Sequence, residues 1–280
     1  MPDDGFVNAN GLRLHYRDYG GAGNPVVLFL HGLTGNGYCF DHVAPRFTTT
    51  HHALALDLRG HGDSEWESAG NYSFRDHLND LFAFLAALNI TRLSLVGSSL
   101  GGALAMIAAA VRPELAERVV LNDQGPEFNG PGLAEAAKRP STLANEFRSL
   151  GELLEIYRSS YPPARNLPDD LATEYLRNST RLGDNGLLRW KTDPRVQSIA
   201  PPVSTNENPP VDMWRFFDQI KAPVLVVRGA ESDILIPGTV AKMCSRGPHV
   251  RAVEVPGVGH TPWLSEPEAL AALHEFLHRQ

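Results

Sequence analysis

Short, nearly continuous apolar runs punctuate this chain and predict strands buried on both faces. They fall at residues 25–30 (PVVLFL), 53–56 (ALAL), 93–96 (LSLV), 118–121 (RVVL), 223–227 (PVLVV) and 251–255 (RAVEV). Earlier, residues 6–8 and 12–18 flank Ala9-Asn10-Gly11, a hairpin signal. Between the runs the period changes. Leu78, Leu81, Phe82, Leu85 and Leu88 recur at helical spacing within 73–88, and Leu270, Leu273 and Phe276-Leu277 within 266–278. A shorter helix is predicted within 38–47. Strands alternating with helices predict an α/β fold: a mainly parallel sheet with helices on both faces.

That rhythm stops between Gln124 and Ile220. Helical patterns take over, at 142–157 and 169–182, separated by proline-rich joints at 161–163 and 200–202. Strand pattern resumes at Pro223. The predicted organisation is a core of residues 1–123 and 221–280, with a mostly helical cap inserted at 124–220 after the sixth strand.

One strand–helix junction carries chemistry. The run 93–96 enters Gly97-Ser98-Ser99-Leu100-Gly101, and an alanine-rich helix leaves it. Glycines two positions either side of a serine let strand and helix approach closely. The serine is then held at the tip of a strained turn, over a helix N-terminus that favours an anion. Ser99 is the predicted nucleophile. Ser98 is excluded, because it would need glycines where Val96 and Leu100 stand. A serine hydroxyl needs a base within hydrogen-bond reach, and a tetrahedral intermediate needs backbone donors; the N–H after the nucleophile, on Leu100, is one.

Composition narrows the alternatives. The 280 residues fit one large domain or a core with an insertion. Net charge is −7 with no basic run, so nucleic acid is not an expected partner. No apolar run is long enough to span a membrane, and the N-terminus reads as no signal peptide. Cys39 and Cys244 form no CxxC pair, so a reducing cytoplasm is the expected location. No histidine–cysteine–carboxylate spacing suggests a metal site, and neither a GxGxxG after a first strand nor a P-loop suggests a nucleotide; no cofactor is expected.

Arrangement and motifs together resemble the α/β-hydrolase superfamily over nearly the whole chain. His31-Gly-Leu-Thr-Gly35 is similar to its HG-x-x-G loop, and Asp57-Leu-Arg-Gly-His-Gly-Asp-Ser64 to its D-x-R-G-x-G-x-S loop. Residues 97–101 look like its nucleophile elbow. Arg228-Gly-Ala-Glu-Ser-Asp233 and Gly257-Val-Gly-His260 resemble the loops that bring acid and base. The resemblance implies an eight-stranded sheet and a Ser–acid–His order along the chain. It makes His260 the base and Asp233 the acid, with Asp123 as the alternative acid some members use. It makes Leu33 the second oxyanion donor. His31 and His61 are expected to brace loops, and Asp57 to be structural.

The expected activity is hydrolysis of a small-to-medium uncharged carboxylic ester or lactone, through an acyl-enzyme on Ser99. A serine nucleophile argues against haloalkane dehalogenases and epoxide hydrolases of this superfamily, which use aspartate. Cleavage of a carbon–carbon or amide bond by the same triad stays open. Ser98 and Thr261 stand where ring-cleavage hydrolases often carry Asn and Trp. A ligand-holding receptor on the same fold is the reading from another class. Phe128, Trp190, Trp214 and Trp263 are candidate pocket residues between cap and core. The oligomeric state is left open.

Overall fold

The computed structural model describes residues 2–127, 129–130, 132, 145–161, 167–198, 212–247 and 249–278. Eight strands form one sheet: β1 (Asp3–Ala9), β2 (Leu12–Asp18), β3 (Val26–Leu30), β4 (His52–Leu56), β5 (Leu93–Ser98), β6 (Ala116–Asn122), β10 (Val224–Gly229) and β11 (Val250–Val255). Their spatial order is β1-β2-β4-β3-β5-β6-β10-β11. The first two strands are an antiparallel hairpin turned by Asn10 and Gly11, both at positive φ. From β4 to β11 all neighbours run parallel.

Helices cover both faces. Strand β3 explains why its residues are all apolar. Leu28 and Leu30 pack with α1 (Phe74–Ala87) and α2 (Leu100–Val111), whereas Val27 and Phe29 pack with Leu273, Phe276 and Leu277 of α7 (Pro267–His278). The start of α1 is fixed locally. Ser73 Oγ accepts from the Asp76 N–H, and the Asp76 carboxylate accepts from the Ser73 N–H, a reciprocal cap. The segment 38–47 forms two 3₁₀ turns, Gly37–Phe40 and Ala44–Phe47, rather than one helix. Pro45 sits in the first turn of the second, where its missing N–H costs nothing.

Between β6 and β10 the described residues hold helices α3 (Leu150–Ser160), α4 (Asp169–Ser179) and α5 (Met213–Phe217). They also hold a three-stranded antiparallel sheet, β7 (Glu146–Phe147), β8 (Thr180–Leu182) and β9 (Leu188–Trp190), in the order β7-β9-β8. The expectation of a helix over 169–182 therefore needs correction at its end. From Thr180 the chain extends into a hairpin with β9, whose turn is closed by the Gly183 N–H on the Leu187 carbonyl. β-branched Thr180 and the Gly183–Gly186 turn favour the hairpin over another helical turn. Helix α5 packs on α2, so this end of the predicted insertion lies against the core. Among the described residues, helix α6 (Pro237–Cys244) completes the set, and no helix is long and apolar enough to cross a membrane. Cys39 and Cys244 are both free thiols.

Candidate active site

The turn from β5 into α2 places Ser99 at φ 48° and ψ −111°, a strained conformation for a residue with a side chain. Its glycines are required by contact. A Cβ on Gly97 would lie 2.2 Å from the Gly101 carbonyl oxygen, and one on Gly101 would lie 2.2 Å from that of Leu30. Gly102 is held too, with Gln124 Cβ 2.7 Å from where its own would stand. Strand and helix thus interpenetrate at backbone distance, and Ser99 projects from the crest.

Ser99 Oγ lies 3.0 Å from His260 Nε2. Ser98, by contrast, is buried and accepts from Asn122 Nδ2 at 2.8 Å. On the other side of the imidazole, Nδ1 lies 2.6 Å from Asp123 Oδ2. The carboxylate against His260 is therefore that of Asp123, which follows β6, and not that of Asp233, expected there from the sequence. Asp123 is fully buried at φ 50°, directly behind the ring. Its carboxylate accepts the Gly229 N–H at 3.1 Å and the Ser232 hydroxyl at 2.5 Å. These donors come from the last residue of β10 and from the loop after it, the loop expected to carry the acid. Asp233 sits in that loop half-buried, and its main-chain carbonyl accepts from Asn129 Nδ2 at 2.9 Å.

The loop after β3 lies against Ser99: a Cβ on Gly32 would be 3.5 Å from Ser99 Cβ. Two buried histidines hold this loop by its carbonyls. His31 Nδ1 donates to the Gly32 carbonyl at 2.7 Å, while its Nε2 accepts the Leu58 N–H at 3.0 Å, which fixes the tautomer. Burial pushes the His31 imidazole down to about 3, so it stays neutral. Gly32 C=O and Leu33 N–H belong to one planar peptide, so the bond to His31 sets the direction of the Leu33 N–H. His61 Nε2 lies 2.8 Å from the Leu33 carbonyl and its Nδ1 2.8 Å from that of Arg59. Leu100 opens α2, and its N–H has no carbonyl four residues back to bond. The Gly101 N–H bonds the His31 carbonyl at 3.1 Å, tying that helix end to the loop.

Asp57 acts as a structural hub. Its carboxylate takes His15 Nδ1 at 2.6 Å, the Gly37 N–H at 2.5 Å and the Asp63 N–H at 2.8 Å. Among the described residues, His15, Asp57 and Asp63 alone gather three ligand-type atoms within 4.8 Å of one another. The sequence spacing gave no sign of it, because the three come from β2 and two points of a later loop.

Beside Gly32 and Ser98 opens a cavity walled by Tyr157, Tyr161, Tyr175 and Trp263. Of the expected pocket residues, Trp263 lines it. Trp190 is buried one layer back, its ring 6.4 Å from that of Tyr157. Trp214 is elsewhere, edge-on to Phe217 and beneath the Arg246 guanidinium. Phe128 lies outside the described residues. The tyrosines were missed because one aromatic each on α3, α4 and their connection carries no motif; only the fold brings them together.

Comparisons with known proteins agree with this architecture. Residues 27–273 match the model of the alpha/beta hydrolase family. A 3-hydroxybutyrate-oligomer hydrolase of Cupriavidus necator is 33% identical, over 94% of this chain and 92% of that protein. An esterase of Mycobacterium tuberculosis is 31% identical over 89% of this chain and 81% of its own length. The crystal structure of an alpha/beta hydrolase from Novosphingobium aromaticivorans superposes with a TM-score of 0.87 at 34% identity, covering 100% of this chain and 99% of that one. The chain belongs to the alpha/beta hydrolase family.

Proposed function

We propose that this protein is a serine hydrolase of small-to-medium, uncharged carboxylic esters, working through Ser99, His260 and Asp123. The observation that carries the reading is the unbroken line from Ser99 Oγ through His260 to Asp123, with bonds of 3.0 and 2.6 Å. In this reading His260 Nε2 takes the Ser99 proton as Oγ bonds to the ester carbonyl carbon. The oxyanion so formed accepts from the N–H groups of Leu33 and Leu100 at the positive end of α2. Asp123 holds the Nδ1–H tautomer and balances the imidazolium. The intermediate collapses, the alkoxide leaves with the proton from His260, and an acyl-enzyme remains. Water then attacks the acyl carbon, giving its proton to His260, and the acid is released as Ser99 recovers its hydrogen.

Two further features support an uncharged ester. None of the described residues lining the cavity is charged. The relatives at 33% and 31% identity are named as a 3-hydroxybutyrate-oligomer hydrolase and an esterase. Residues 124–220 serve in this reading as the layer that closes the site and selects substrates, with α3 and α4 presenting their tyrosines to it.

The test is turnover of p-nitrophenyl acetate beside an amide and a ring-cleavage dienone. A burst followed by steady turnover of the ester is the expected result. Steady turnover of the amide or the dienone alone would move the reaction to that bond, and a burst without turnover would describe a receptor.

A further inference from the structure

The cavity beside Ser99 is lined by hydroxyls. Thr34, Ser98, Tyr157, Tyr161, Tyr175 and Thr261 all face it, around the backbone of Gly32 and Gly35. A pocket made only to hold an alkyl chain is walled by aliphatic and aromatic carbon, because each buried hydroxyl must find a partner or cost stability. Ser98 accepts from Asn122, and burial beside Thr261 and Ser179 pushes the Tyr161 and Tyr175 phenols up, so both stay neutral.

Tyr157 differs. Its ring is fixed on α3 by Tyr161 at 5.4 Å, Tyr175 at 6.0 Å and Trp190 at 6.4 Å. Among the described residues its hydroxyl has no hydrogen-bond partner, although burial pushes the phenol well above its ordinary range and keeps it a neutral donor. Tyr157 thus brings a neutral phenol to the lining of the cavity beside Gly32 and Ser98.

The geometry points to a substrate whose acyl chain carries its own neutral oxygen, a hydroxyl, ketone or second ester group, received by the Tyr157 hydroxyl. This deepens the ester-hydrolase reading and rests on it. A site built to bond a substrate oxygen rejects the analogue lacking it, because the analogue strands a desolvated donor. The uncharged lining limits the partner to a neutral oxygen: a carboxylate there would meet no cation among the described lining residues.

The matched pair ethyl 3-hydroxybutyrate and ethyl butyrate differs by one hydroxyl, and release of acid from each is followed in a pH-stat. The parent enzyme should favour the hydroxy ester in kcat/KM by 10-fold or more, on the order expected for one neutral hydrogen bond in a closed site. Tyr157→Phe should lower kcat/KM for the hydroxy ester about 10-fold more than for the butyrate. Tyr161→Phe, whose hydroxyl lies beside Thr261, should shift the ratio by much less. A parent that hydrolyses both esters without preference, or a Tyr157→Phe variant that loses both equally, overturns the assignment of Tyr157 and leaves the hydrolase reading standing. A parent that hydrolyses neither, nor p-nitrophenyl acetate, overturns the hydrolase reading itself.

Discussion

His260 Nδ1 lies 2.6 Å from the carboxylate of Asp123, a residue at the end of β6 and 137 positions earlier in the chain. The end of β10 and the loop after it, where the acid was expected, instead donate the Gly229 N–H and the Ser232 hydroxyl to that carboxylate. Asp123→Asn should therefore lower kcat by about 10³–10⁴, since an amide stabilises the wrong imidazole tautomer and no imidazolium. Asp233→Asn should cost less than 10-fold. Steady-state kinetics of both variants, with folding checked by circular dichroism, decide it; the reverse ranking would return the acid to Asp233.

Ser99→Ala should remove turnover by on the order of 10⁶ in kcat, leaving what the oxyanion donors and binding supply. Ser98 is bonded to Asn122 Nδ2. Its alanine variant loses one buried hydrogen bond, about 1 kcal/mol of stability, and keeps its chemistry. A fluorophosphonate adduct mapped by mass spectrometry should sit on Ser99. An adduct on Ser98 refutes the assignment.

His61 reaches the Leu33 carbonyl in the loop after β3, the loop proposed to hold the oxyanion. His61→Phe fills the space and removes that bond, so the Leu33–Thr34 peptide, next along the chain from the one that carries the Leu33 N–H, loses its fixed direction. The expected loss is about 10-fold or more in kcat, below the 10²–10³ of deleting an oxyanion donor outright, with KM changed little. A change confined to KM would mean that His61 shapes substrate binding and not the loop.

The fold was legible because buried parallel strands are marked by continuous apolar runs; the predicted segments of β3, β4, β5, β6, β10 and β11 overlap the observed strands. The elbow was legible for a sharper reason. Gly97 and Gly101 leave no room for a Cβ, so the close approach of strand and helix is written in residue type. The acid was not legible to the same degree. Asp123 and Asp233 both follow strands in sequence, and only the three-dimensional approach of β6 and β10 puts the first against His260 and assigns the second loop to hold it. The inserted layer was harder still. Its small sheet pairs Glu146–Phe147 with a distant hairpin, and its tyrosines converge from separate helices.

His77 is fully buried, and both its ring nitrogens lack a partner. Burial, with His61, Arg59 and His31 nearby, holds it well below its ordinary range. The folded protein therefore keeps His77 neutral where the unfolded chain, near 6.5, takes a proton. Stability from this group is full above about pH 6.5 and falls as pH drops below it, by up to about 1.4 kcal/mol per pH unit. His77→Leu should flatten the loss of stability between pH 6.5 and 5, read by urea denaturation at several pH values. Parallel curves for parent and variant would show that other groups govern acid unfolding.

Tyr175 and Trp263 meet edge-on at 5.6 Å and line two spaces at once: the cavity beside Ser99, and an outer groove that also touches Arg17, Asp41, His42 and Glu174. The two rings form a wall one side chain thick. Removing the indole should join the spaces and admit longer acyl chains, where each added methylene is worth ~1–3 kcal/mol of selectivity. Trp263→Ala should raise the kcat/KM ratio of p-nitrophenyl octanoate to acetate by about 10-fold or more. Trp214→Ala, which lines neither space, should leave that ratio within about 2-fold, because its ring packs on Phe217 and Arg246. Both variants must first retain the parent's circular dichroism, since an exposed cavity costs stability. An unchanged ratio in folded Trp263→Ala would place chain-length selection away from the Tyr175–Trp263 wall.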